Sequence, residues 1–214
     1  MTGRRERLRR ARLYLVCDEQ TDDFLHRVMG AGVDIVQLRM KDASDDAIVA
    51  AGQRFARAAA THGALFVLND RPDLVAATGA DGVHVGQDDV AVSDARAIVG
   101  PDHLIGLSTH SPEQIDAAAA LGVDYIGVGP VHATPTKPGR PAVGLELVGY
   151  AAEHATVPFF AIGGISPENV EAVRSAGADR IAVVRALTDT SDPVRAARRL
   201  RQGISAPEVR LGAA

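Results

Sequence analysis

Eight short apolar runs, rich in Val, Ile and Leu, constrain this chain more than any other feature. They are Leu13–Val16, Ile35–Leu38, Leu65–Leu68, Gly82–Val85, Leu104–Leu107, Tyr125–Val128, Phe159–Ile162 and Ile181–Val184. Nearly continuous runs of this length mark strands covered on both faces, as in parallel sheets. Helical windows lie between them, among them Asp45–Ala60, Ser93–Val99, Gln114–Leu121 and Asn169–Ala176. Two helices are expected to open on the same signal, Ser111-Pro112-Glu113 and Ser166-Pro167-Glu168. In each, Ser caps free amides, Pro fits the first turn and Glu suits the positive helix end.

A repeat strengthens the count. Gly32-Val33-Asp34, Gly79-Ala80-Asp81, Gly122-Val123-Asp124 and Gly177-Ala178-Asp179 precede the second, fourth, sixth and eighth runs. Gly can end the preceding helix in a left-handed turn, after which the strand begins. The period is two βα units, repeated four times. That symmetry predicts a closed (β/α)8 TIM barrel rather than an open flavodoxin-like sheet, which needs only five strands. A length of 214 residues suits one such domain at the compact end of its range. With aromatics at 4% and no Trp, the core must be filled by aliphatic residues, as barrel interiors are. The expected organisation is a single domain over 1–214, with a basic leader at about 1–11 and a mobile tail at about 203–214.

Charge and cysteine content exclude several classes. A net charge of −4 gives the surface no long-range attraction to nucleic acid. The one cysteine, Cys17, cannot form an intrachain disulfide and sits in an apolar run as a small core residue. No apolar run approaches the roughly 18 residues of a membrane span. The leader Arg4-Arg5-Glu6-Arg7-Leu8-Arg9-Arg10 lacks the apolar segment of a secretory signal. It reads as a solvated leader or short helix, with a transit peptide as second choice, and the expected address is the cytoplasm. A homodimer through exposed helices is a general expectation for barrels.

One connection breaks the rhythm. Residues 129–141, Gly-Pro-Val-His-Ala-Thr-Pro-Thr-Lys-Pro-Gly-Arg-Pro, have four prolines and no helical period. Loops of this length inside a compact domain are usually functional, and this one reads as an active-site lid.

Barrel active sites form at the C-terminal strand ends. The second strand ends in Gln37-Leu38-Arg39-Met40-Lys41, where alternation sets Gln37, Arg39 and Lys41 on one side, at the mouth. The third ends in Asn69-Asp70-Arg71, the fourth in His84-Val85-Gly86-Gln87-Asp88-Asp89, and the fifth at Ser108. Asp70 with Asp88 or Asp89 describes a Mg²⁺ site that shares substrate oxygens; the alternative is ordinary helix capping. The cations Arg39, Lys41 and Lys137 favour the metal, because metal plus cations neutralises a diphosphate. His84 has no second ligand at zinc spacing and reads as a packed or hydrogen-bonded histidine. Gly163-Gly164 after the seventh strand and Val184-Arg185 after the eighth mark the usual barrel phosphate site. Two anionic pockets fit two phosphorylated substrates.

The strings Gln37-Leu38-Arg39-x-Lys41, Asn69-Asp70-Arg71-x-Asp73-Leu74, Asp81-Gly82-Val83-His84-Val85-Gly86-Gln87-x-Asp89, Gly129-Pro130 with Thr134-Pro135-Thr136-Lys137, and Ala161-Ile162-Gly163-Gly164-Ile165 together resemble the thiamine phosphate synthase family. The resemblance runs from about Ala11 to Leu187, in that family's order and spacing. It implies that a pyrimidine diphosphate is joined to a thiazole phosphate, giving thiamine phosphate and pyrophosphate. It assigns Gln37, Arg39, Lys41 and Asn69 to the pyrimidine diphosphate, Ser108 to the pyrimidine, and Lys137 to the diphosphate. Asp70 and Asp89 would hold Mg²⁺, the family pattern choosing Asp89 over Asp88. Thr134, Thr136, Gly164 and the backbone at Val184 and Arg185 would hold the thiazole phosphate. Arg185 departs from the Ser that many relatives carry, and Cys17 stands where Thr is common.

Two other readings compete. A thiazole tautomerase-like barrel would need neither the Asp70/Asp89 pair nor the Thr-Pro-Thr-Lys segment. A non-catalytic barrel that binds a phosphorylated ligand would not need intact metal ligands.

Overall fold

The structure is a computed structural model in which residues 3–133 and 141–205 are described. Eight parallel strands close in sequence order, each hydrogen-bonded to the next and β8 back to β1. They are β1 (Leu13–Cys17), β2 (Ile35–Leu38), β3 (Leu65–Asn69), β4 (Gly82–Val85), β5 (Leu104–Thr109), β6 (Tyr125–Val128), β7 (Phe159–Ile162) and β8 (Ile181–Val183). The expected barrel is the one observed, with strand ends shifted by at most two residues. Helices α2 (Asp22–Gly30), α3 (Asp45–His62), α4 (Val75–Thr78), α5 (Val92–Val99), α6 (Pro112–Ala118), α7 (Gly144–His154), α8 (Val170–Ser175) and α10 (Pro193–Ser205) clothe it. A short α9 (Arg185–Thr188) follows β8, and α1 (Arg4–Arg10) precedes β1.

The apolar residues divide into two cores. One fills the layer between strands and helices, with Phe55, Phe66, Val36 and Leu200 among its members. The other fills the barrel and contains Tyr14, Ile35, Leu65, Leu104, Tyr125 and Phe160. Alternation along each strand sends successive side chains to opposite cores, which is why neither face of any strand is polar throughout.

The Ser111 signal works as expected: its hydroxyl accepts from Gln114 N–H at the start of α6. The Ser166 signal does not. Ser166 N–H is taken by Asn169 Oδ1 at 2.8 Å, and Ser166 Oγ accepts from Glu168 N–H. The chain spends these groups on a tight turn, and α8 begins only at Val170.

The repeated aspartates gain a purpose in three dimensions. Asp34 accepts from the N–H groups of Arg12 and Leu13, Asp81 from Phe66, and Asp124 from Ile105. Each thereby ties an even strand to the N-terminal end of the strand before it, which explains a period of two units. Arginines then pair with these carboxylates: Arg201 with Asp34, Arg4 and Arg7 with Asp81, and Arg5 and Arg96 with Asp124. Asp179 pairs with Arg12 and Arg180.

Three of those arginines belong to α1, so the leader is not a solvated one. It lies under the barrel with Leu8 buried in the interior core. Residues 203–205, expected within a mobile tail, instead finish α10, where Ile204 is buried, and 206–214 lie outside the described residues. Among the described residues, no helix is long and apolar enough to cross a membrane.

Candidate active site

A cavity of about 1120 Å³, counting the open solvent at its mouth, enters the barrel at the C-terminal strand ends. Its lining includes Gln37, Arg39, Asn69 and Ser108 on one side and Gly164, Val184 and Arg185 on the other. The two anionic pockets expected from the sequence are therefore two sides of one cavity. Thr134, Thr136 and Lys137 lie outside the described residues.

At the first side, β2 and β3 set cations against carboxylates. Arg39 has no side-chain hydrogen bond or ion pair among the described residues, so its charge is available to a ligand. Lys41 Nζ stands 3.7 Å from Asp70 Oδ2, a loose pair at the mouth. Asp70 is the one non-glycine residue with positive φ among the described residues, at 61°. Asp tolerates the left-handed region better than most residues, and such outliers gather at functional sites. Its N–H donates to His84 carbonyl, which pins the end of β3 to β4.

Asp89 meets Asp70. Desolvation, followed by the charge and hydrogen bond of Asp89, pushes the Asp70 carboxyl above its ordinary value, against the opposing pull of Lys41 and Asn69. Asp89 itself is held by the Gly86 N–H, which donates to its Oδ2 at 2.8 Å. Two converging carboxylates with one loosely held cation fit a divalent cation. The donors are hard oxygens, and a cation would relieve the repulsion that the pair now carries. No group of three or more His, Cys, Asp or Glu side chains suited to a metal occurs among the described residues. A cation here would thus complete its shell with water and ligand oxygens.

Gln37 departs from expectation. It is 3% exposed and sits at the cavity floor rather than at the mouth. The floor itself, Tyr14, Tyr125 and Phe160, was not singled out from the sequence. Their rings pack edge to face, with Phe160 5.4 Å from Tyr14 and 5.7 Å from Tyr125 between centroids. One signal was present: two of the chain's three tyrosines fall inside strand runs of an aromatic-poor sequence. His84 is hydrogen-bonded, as expected, with Nδ1 3.2 Å from Tyr125 Oη and Nε2 3.0 Å from Ser108 Oγ.

At the second side the backbone comes bare to the cavity. Gly164 has φ 61°, and a Cβ there would stand 2.8 Å from His132 Cβ. Gly163 packs as tightly on Pro130, so this glycine pair seats the start of the β6–α7 connection as well as lining the cavity. Arg185 opens α9 and turns its guanidinium to Asp189, 2.7 Å away. Its side chain is therefore already paired, although the residue lines the cavity.

Comparison with known proteins gives one answer. Residues 13–187 match the family described as thiamine monophosphate synthase. The chain is 49% identical to the thiamine-phosphate synthase of Gloeobacter violaceus, covering 89% of this chain and 57% of that protein's length. It is 48% identical to that of Mycobacterium tuberculosis, covering 94% of this chain and 97% of the relative. Among solved structures, thiamine phosphate pyrophosphorylase from Pyrococcus furiosus superposes with a TM-score of 0.84 at 31% identity, covering 94% of this chain and 96% of that one.

Proposed function

Because the chain belongs to the thiamine monophosphate synthase family, we propose that its cavity joins an aminopyrimidine methyl diphosphate to the ring nitrogen of a thiazole monophosphate. The methyl C–O bond breaks and its electrons leave with the diphosphate. The thiazole nitrogen lone pair forms the new C–N bond, giving thiamine phosphate and pyrophosphate. The observation that carries this reading is the single cavity with Arg39 and Asn69 on one side, next to the Lys41, Asp70 and Asp89 cluster, and bare glycine backbone on the other.

Each side has one task. Arg39 and Lys41 bind the diphosphate and stabilise the charge that grows on it as the bond lengthens. Asn69 lines the same cavity and binds the diphosphate with them, while Gln37 and Ser108 orient the pyrimidine ring. Gly164 and Val184 offer backbone to the thiazole phosphate, with Arg185 at the rim. Asp70 and Asp89 would hold Mg²⁺, which when bound neutralises part of the diphosphate charge. The electron-rich ring supports a developing methyl cation and the nucleophile is a neutral nitrogen, so holding both partners in line does most of the work. Thr134, Thr136 and Lys137 keep the roles the resemblance implies, the last as a further diphosphate cation.

The test mixes both substrates with Mg²⁺ and measures thiamine phosphate and pyrophosphate. Equal amounts of the two, lost on adding EDTA, are expected; no product, or product indifferent to EDTA, would remove the reaction or the metal respectively. Gly164→Val should raise the thiazole phosphate KM about tenfold, roughly 1.4 kcal/mol, since a side chain both strains that φ and fills the approach to the backbone.

A further inference from the structure

The cavity floor carries a chain of hydrogen bonds that joins Gln37 to Ser108 through three residues the chemistry above does not use. Gln37 Nε2 donates to Tyr14 Oη at 2.6 Å. Tyr14 Oη lies 2.9 Å from Tyr125 Oη, and Tyr125 Oη lies 3.2 Å from His84 Nδ1. His84 Nε2 then lies 3.0 Å from Ser108 Oγ, at the cavity wall. Five strands, β2, β1, β6, β4 and β5, contribute one member each.

The chain is built rather than incidental. A Cβ on Gly106 of β5 would stand 2.1 Å from Tyr125 Cζ and 2.5 Å from His84 Nδ1. Only a residue without a side chain leaves room for the phenol and the imidazole to meet. Phe160 packs against both tyrosine rings and fixes their planes. Gln87 Nε2 occupies the Ser108 carbonyl at 2.6 Å, so Ser108 cannot turn its hydroxyl back on that oxygen without competition.

Proton counting gives the chain a direction. Burial keeps both phenols protonated, so each has one proton to give. Tyr14 receives from the Gln37 amide and therefore gives to Tyr125. Tyr125 gives to His84 Nδ1, which must be bare, so the neutral imidazole carries its proton on Nε2. That proton goes to Ser108 Oγ, and the Ser108 hydroxyl proton is left for the cavity. Reversing the first donor reverses every later one.

We propose that Tyr14, Tyr125 and His84 are positioning residues that form one directional relay, through which the Gln37 amide fixes His84 as its Nε2–H tautomer and makes Ser108 a hydrogen-bond donor to the ring in the cavity. The consequence for substrate choice rests on the proposed function. A donor at Ser108 accepts a pyrimidine that presents a nitrogen lone pair, as an aminopyrimidine does. It rejects the oxo analogue that presents N–H there, because two donors would face each other.

The tautomer is read directly from long-range ¹H–¹⁵N spectra of ligand-free protein labelled in histidine. The parent should show His84 with a bare Nδ1. Gln37→Glu, measured at pH 8.5, replaces the donor with a carboxylate that only accepts, and should move the His84 proton to Nδ1. Adding Tyr125→Phe to Gln37→Glu should cut the relay and abolish that switch. Should Gln37→Glu fail to fold, Tyr14→Phe serves instead: Tyr125 is left with His84 alone to receive its proton, and His84 should keep a bare Nδ1. In kinetics, Tyr125→Phe should lower kcat/KM about tenfold in the parent and leave Ser108→Ala unaffected. A parent with Nδ1–H, a tautomer unmoved by Gln37→Glu, or Nδ1–H in Tyr14→Phe would overturn the relay. Product formation is scored separately. A parent that makes thiamine phosphate with the wrong tautomer loses the relay alone, and one that makes none with the expected tautomers loses the proposed reaction alone.

Discussion

Aspartates stand at both ends of this barrel, and the two ends treat them in opposite ways. At the N-terminal end, Asp34, Asp81 and Asp124 each accept backbone N–H groups and are matched by arginines. At the C-terminal end, Asp70 and Asp89 face each other, with Lys41 at 3.7 Å as the only cation in ion-pair range among the described residues. One end has satisfied its charges within the fold. The other leaves a surplus of negative charge among the described residues, and it holds part of it on strained backbone at Asp70. Under the proposed function, the same residue type carries stability at one end and metal binding at the other, distinguished by how many partners the fold supplies.

That contrast can be broken by mutation. The largest effect should come from the mouth: Asp70→Ala or Asp89→Ala should lower kcat/KM about 1000-fold, roughly 4 kcal/mol, with urea stability within about 1 kcal/mol of the parent. Asp88→Ala should stay within about twofold of parental kcat/KM. Parental kinetics in Asp89→Ala together with a crippled Asp88→Ala would reassign the ligand.

The opposite outcome is expected at the base. Asp124→Ala takes from Arg5, Arg96 and the Ile105 N–H the carboxylate they share. It should cost about 3 kcal/mol in urea unfolding, while the folded fraction keeps its kcat. A large loss of kcat at full stability would mean that the two ends are not separable.

Between the ends lies the phenol floor, which sharpens the comparison by titrating without an ion pair. Burial raises both the Tyr14 and Tyr125 phenols above the ordinary 10.0. Folded protein thus keeps protons that unfolded protein releases, so this contribution is full below pH 10.0 and is lost as pH rises beyond it. Stability should fall by up to about 1.4 kcal/mol per pH unit for each phenol above that point. Tyr125→Phe should flatten the slope, and an unchanged slope would assign alkaline unfolding to other groups. The smallest effect belongs to the rim of the base. Arg5→Ala removes a side chain that is 47% exposed, and should cost within about 1 kcal/mol by the same urea measurement.

How far the sequence revealed these ends depended on distance along the chain. The strands were legible because both faces of each are apolar, which leaves a nearly continuous run. The placement of Arg39, Lys41, Asp70 and Asp89 near one another followed from strand ends alone, since a barrel gathers all eight at one rim. The floor was not legible, because Tyr14, Tyr125 and Phe160 meet only when β1, β6 and β7 close around one axis. Gln37 illustrates the same limit: alternation gave its side, and only the curvature of the barrel gave its depth. The repeated Asp was visible as a pattern, but its partners are backbone amides, which leave no mark in a sequence. Ser166 misled because its turn and a helix start share one signal.

Helix α1 has a consequence in time. It precedes every strand, yet its partners lie far downstream: Arg4 waits for Asp81, 77 residues on, and Arg5 for Asp124, 119 residues on. At a synthesis rate of roughly 5–20 residues per second, Arg5 is made about 6–24 seconds before its acceptor. During that interval α1 has no barrel to stand under. Its composition suits the wait: five arginines and one glutamate carry a single leucine, so the segment hides little from water and offers little to a chaperone or a neighbouring chain. The base plate of the barrel is written before any of the strands it will stand under.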